Sequence, residues 1–116
     1  MESVLRALEG AGDCGGPYPM RYAVGAFAED EYEAILGRLP APGAGMKSGI
    51  YPAREIFPFD MEGMSGAAFR DGVLGCFGLS APEARAGIRF VRDAQGYAIG
   101  PHTDGWNKIV SLLFYL

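Results

Sequence analysis

Gly96-Tyr97-Ala98-Ile99-Gly100-Pro101-His102-Thr103-Asp104-Gly105-Trp106-Asn107-Lys108-Ile109-Val110-Ser111-Leu112-Leu113-Phe114-Tyr115-Leu116 is the stretch on which the reading of this chain turns. In an extended segment residues i and i+2 point to the same side, so His102 and Asp104 would present an imidazole and a carboxylate together while Thr103 points away. Such a pair can share one cation. The same residues also suit a plain turn, since Pro101 presets a backbone angle and Asp104-Gly105 is a common turn pair.

Working outward, Ile109 to Leu116 is apolar on both faces and predicts a strand from the middle of a sandwich. Upstream, Ala86 to Arg92 predicts a strand with Ile88 and Phe90 on one face and Arg89 and Val91 on the other. Asp93-Ala94-Gln95-Gly96 predicts a hairpin-like turn and Tyr97 to Ile99 a returning strand.

The first 85 residues predict helical and loop support. Ser3 to Glu9 is a short helix with Val4, Leu5 and Leu8 on one side, ended by Gly10. Glu29 to Leu39 is a helix with Tyr32, Ile35, Leu36 and Leu39 at helical spacing, an acidic start and Pro40 at its close. Ser65 is the expected cap of a helix running to about Phe77, with Phe69, Val73, Cys76 and Phe77 inward. Arg21 to Phe27 suggests a short strand, and the proline-flanked aromatics of 50–59 suggest irregular structure in preference to a central strand.

Composition narrows the class. The chain has 116 residues, 49% of them hydrophobic and 21% charged, which suits one soluble globular domain. A net charge of −4 argues against a nucleic-acid partner, whose affinity comes from Lys and Arg. No apolar run is long enough to span a bilayer and no secretory signal is visible at the N-terminus, so a cytoplasmic setting is the expectation. Eighteen glycines without a fixed period indicate loops and tight turns. Cys14 and Cys76 fit no ligand spacing and read as free thiols, the first in a Gly-rich loop and the second as a small core residue.

The segment from Gly96 to Asp104, its short connector ending in Lys108, and the apolar run after it resemble the first metal-ligand strand and its successor in iron(II)/2-oxoglutarate-dependent oxygenases, prolyl 4-hydroxylase-like members included. The resemblance is close over roughly the last thirty residues and loose over most of the chain. It implies an α+β fold in which N-terminal helices support the first strands of a double-stranded β-helix, or jelly roll. The chain then reads as a single partial domain, 1–85 being support and 86–116 the first jelly-roll strands. It implies Fe(II) held by His102 and Asp104, with 2-oxoglutarate as co-substrate and ascorbate as an optional accessory. Tyr97 would hydrogen-bond the co-substrate, and Trp106 and Lys108 would contact a small-molecule or protein side-chain substrate. Core, packing and solvated-loop roles account for these three residues as readily. Arg89 and Arg92 could receive an anionic substrate or simply form a polar strand face.

One departure stands out. Family members carry a second His several strands later and an Arg or Lys just beyond it for the far carboxylate of 2-oxoglutarate, and His102 is the only His here. The expectation is an N-terminal fragment of a dioxygenase that would hydroxylate an unidentified substrate while 2-oxoglutarate is decarboxylated to succinate, inactive as it stands. The alternative is a non-catalytic α+β or jelly-roll binding module in which His-Thr-Asp is only a turn. Neither substrate nor oligomeric state is encoded legibly.

Overall fold

The structure is a computed structural model, and it describes residues 2–47, 49, 52–61, 63–100 and 104–116. Among these are three helices and a three-stranded antiparallel sheet, an α+β arrangement in two compact units. The helical unit comprises Met1–Arg38 and Phe59–Ile88, the sheet unit Leu39–Pro58 and Arg89–Leu116.

In the helical unit, α1 (Glu2–Gly10) buries Val4 and Leu8, two of the three positions its periodicity selects. It packs on α3 (Ala67–Cys76), which buries Phe69, Val73 and Leu74. The two helices meet closely at Gly72, where a Cβ would lie 2.9 Å from the terminal methyls of Leu5. Leu74 was not among the expected inward residues, and Cys76 and Phe77 are only half-buried. The helix also starts later than expected: Gly66, not Ser65, occupies the cap position, without a side-chain bond. Its end is well defined. Gly78 adopts φ +67°, its N–H donates to Gly75 O, and Leu79 N–H donates to Leu74 O, the Schellman closure that a left-handed glycine permits.

Between them, α2 (Glu29–Leu36) is shorter than its expected span to Leu39. Ala28 precedes it and has no capping side chain, so Glu31 does that work: its Oε2 accepts the Ala28 N–H at 3.0 Å and the Ser3 hydroxyl. Met61 and Met64 complete the buried apolar set of this unit. The strand expected over Arg21 to Phe27 is absent. Arg21 makes one isolated bridge with Asp13, and its guanidinium donates inward to Leu8 O and Ala11 O, which fixes the segment as an irregular strap.

The sheet unit corrects more of the sequence reading. Its order is β1 (Met46–Lys47), β2 (Arg54–Pro58), β3 (Arg89–Asp93), so part of the stretch expected to be irregular is the central strand. The prolines bracket β2 and do not interrupt it. Pro58 sits where the sheet has narrowed to two strands, since β1 pairs only with Ile56 and Glu55. Ile50 and Tyr51 lie outside the described residues. β3 begins three residues later than expected, and Ile88 is not part of it.

The turn after β3 is present, with Gly96 at φ +91°, but no strand returns from it. Tyr97 N–H donates to Ala94 O and so closes the turn, while Ala94 N–H donates to the O of Ala53, the residue before β2. Residues 109–116 do not form a strand either. Their side chains are largely exposed, Leu113 at 77% and Tyr115 at 91%, so the apolar run lacks the layer that its pattern anticipates.

Candidate functional site

Of the expected metal ligands, His102 lies outside the described residues, together with Pro101 and Thr103, and Asp104 lies within them. Asp104 is exposed. Lys108 Nζ stands 3.1 Å from its Oδ1, and Ser111 Oγ donates to its Oδ2 at 3.3 Å. The intervening chain makes both contacts local. Lys108 N–H donates to Gly105 O at 2.9 Å, a turn that brings the lysine stem back over the carboxylate.

Tyr97 is half-buried at the other end of the segment. The Arg54 guanidinium lies 4.1 Å from its ring centroid, and Arg54 is itself held by Asp93 through two bonds of 2.7 Å, Nε to Oδ1 and Nη2 to Oδ2. The planar fork of arginine matches the carboxylate and leaves its face for the ring. This stack follows from the pairing of Arg54 with Asp93 across β2 and β3. Sequence reasoning missed Arg54, because its stretch was read as irregular; had β2 been recognised, its oppositely charged partner on β3 was the available signal.

Trp106 is 99% exposed, so it packs against nothing in the sheet unit. Lys108 is engaged with Asp104, and Ser111, which spacing did not single out, joins them. Arg92 is an internal residue: Nη2 donates to Pro40 O at 2.7 Å, Nη1 lies 3.7 Å from Glu55, and the guanidinium sits 5.5 and 5.6 Å from the ring centroids of Phe57 and Phe90. It therefore joins the small core of the sheet. Arg89 stays exposed at the start of β3.

The helical unit carries an open depression of about 380 Å³ beside Met20, Arg21, Cys76 and Phe77. Arg21 is already committed to backbone carbonyls and to the Phe77 ring, 5.8 Å away. Both cysteines are free, Cys14 exposed as its glycine-rich loop suggests. Among the described residues no three His, Cys, Asp or Glu side chains converge as a metal group, and no helix is long and apolar enough to cross a membrane.

Compared with protein-family models, curated proteins and solved structures, the chain matches none.

Proposed function

We propose that this chain carries the proximal half of the metal site of an iron(II)/2-oxoglutarate-dependent dioxygenase, with His102 and Asp104 as two ligands of the metal. The observation that carries the reading is the His-x-Asp segment placed between Tyr97 and an apolar run, with an exposed Asp104 carboxylate. The oxygenase pattern orders its parts in the same way. The ligand set itself supplies one imidazole and one carboxylate, which fits two positions of a facial triangle. The third falls to a His beyond the present residues, and further jelly-roll strands would cover the exposed side chains of Ile109, Leu113, Phe114 and Tyr115.

When bound, iron with 2-oxoglutarate would supply the oxidising chemistry, giving succinate and a hydroxylated product in a cytoplasmic setting. This chain's own share is binding and orientation. Asp104 contributes charge to the metal. Tyr97, whose ring stacks on the Arg54 guanidinium, would offer a phenolic O–H to the co-substrate. Trp106, exposed beside the site, offers an apolar face to the substrate.

A second reading has its own support. Lys108 and Ser111 both engage Asp104 from nearby in the chain, as they would in a binding module whose His-Thr-Asp segment does no chemistry.

Anaerobic calorimetric titration with Fe(II) separates the two. Weak binding by the 116-residue chain, abolished by His102→Ala and by Asp104→Ala, is the expected outcome; equal affinity in both variants overturns the ligand assignment. Succinate release from 2-oxoglutarate is expected to be absent in this chain and present in one extended through a downstream His and basic residue. Turnover by the 116-residue chain alone would overturn the division of the site.

A further inference from the structure

The helical unit shows solvent a row of large apolar side chains that its core does not use. Tyr18, Met20, Tyr22 and Val24 are every second residue and are 72, 53, 72 and 82% exposed, while Arg21 and Ala23 between them are half-buried. Arg21 accounts for the alternation: its guanidinium is tied inward to Leu8 O and Ala11 O, which turns its neighbours outward. The antiparallel bridge of Arg21 with Asp13, where Cys14 N–H donates to Met20 O, occupies one edge of this segment. Extended backbone directs the polar groups of Arg21 and Ala23 to the opposite edge, and among the described residues their N–H groups have no hydrogen-bond partner.

An open edge beside apolar side chains at a two-residue repeat matches another extended chain, which has the same repeat and can supply the missing acceptors. Charge narrows the partner further. The helical unit has eleven Asp and Glu residues against five Arg, and no Lys. Arg21, Arg38 and Arg70 are each held on backbone carbonyls of the unit itself, whereas Glu29 and Asp30, a few residues beyond the segment, are exposed. We propose that residues 18–24 are a docking edge for an extended peptide with apolar residues at alternate positions and Lys or Arg at its ends. The depression beside Met20, Cys76 and Phe77 takes one of its apolar side chains, and Tyr18 and Tyr22 offer ring faces to its cations. Neither Asp104 nor a metal takes part.

The test uses a fluorescein-labelled peptide, Lys-Lys-Val-Thr-Val-Thr-Val-Lys-Lys, an acidic twin with Glu for each Lys, and a twin N-methylated at alternate amides. Fluorescence anisotropy follows binding to the full chain, to the double variant Met20→Ser with Tyr22→Ser, and to Leu113→Ser, an equally exposed apolar site in the sheet unit; circular dichroism checks that each keeps its helices. The expected result is binding of the basic peptide, weakened at least about fivefold in the double variant and unchanged in Leu113→Ser, with both twins binding poorly. Equal binding by the double variant, or an equal loss in Leu113→Ser, overturns the docking edge. Equal binding of the acidic twin overturns the charge preference, and equal binding of the N-methylated twin overturns strand pairing. Self-association of the chain in sedimentation, lost in the double variant, assigns the edge to a second copy and overturns the peptide partner.

Discussion

The helical unit and the sheet unit hold themselves together by different means. Val4, Leu8, Ile35, Met61, Met64, Phe69, Val73 and Leu74 are buried in the first, whereas Phe57 is the buried large apolar residue among those described in the second. Guanidinium–ring contacts occur in both, Arg21 beside Phe77 and Arg38 beside Phe59 in the first and Arg92 beside Phe57 and Phe90 and Arg54 beside Tyr97 in the second, but only the second relies on them with so little buried apolar surface, and it leaves its longest apolar run exposed. Burial of a large apolar side chain contributes about 1.5–3 kcal/mol, while an exposed cation on a ring contributes about 0.5–1 kcal/mol. One unit is supported by removal of apolar surface from water and the other by ladders and polar stacks. The residues proposed for chemistry lie in the second.

The largest expected effect tests this contrast directly. Met64→Ala, at a side chain only 2% exposed, should cost about 2–5 kcal/mol in urea unfolding, because it leaves a cavity in the helical unit. Leu113→Ala, in the exposed run, should stay within about 0.5 kcal/mol. A comparable loss at Leu113 would break the contrast by showing that the run is packed.

Two glycines sharpen the comparison at a smaller scale. At Gly45 a Cβ would lie 2.6 Å from the Phe57 ring, and that ring is buried, so Gly45→Ala should destabilise the sheet unit by about 1–3 kcal/mol. At Gly72 the obstacle is the end of the flexible Leu5 side chain. Alanine gains about 1 kcal/mol of helix propensity there, so Gly72→Ala should come out near neutral by thermal unfolding. A large loss at Gly72 would make the α1–α3 contact as inflexible as the Phe57 face.

A salt-dependent effect concerns Arg54. Replacing it with Met removes the Asp93 pair and the Tyr97 stack, both partly exposed, and should cost up to about 1 kcal/mol at low salt. The difference should narrow toward about 1 M salt, where screening acts within a few ångströms. A salt-independent loss would mean that the stem's packing carries the effect.

Helices were legible because their signals are local. The 3.6-residue spacing in Ser3–Glu9, Glu29–Leu39 and the stretch after Ser65 reports which residues share a face, and the burial of Val4, Leu8, Ile35, Phe69 and Val73 agrees with it. β2 was not legible, because Pro52 and Pro58 argue against a strand unless their place relative to its ends is known. Residues 97–99 and 109–116 show the opposite error: their β-forming composition had no partner to pair with, and a strand without a ladder is not a strand.

For the candidate site, sequence alone determined the residue types at 102 and 104, their two-residue separation, and the lack of a second His. Those are properties of covalent order. Only the tertiary structure decided that Arg54 reaches Tyr97 by way of Asp93, since that depends on the register of two strands separated in the chain. It likewise decided that Lys108 and Ser111 both close on Asp104, because the turn at Gly105 sets which oxygen each donor meets. Local spacing says which side chains can face the same way, but direction and distance come from backbone pairing, and pairing is settled by the energy of the whole unit.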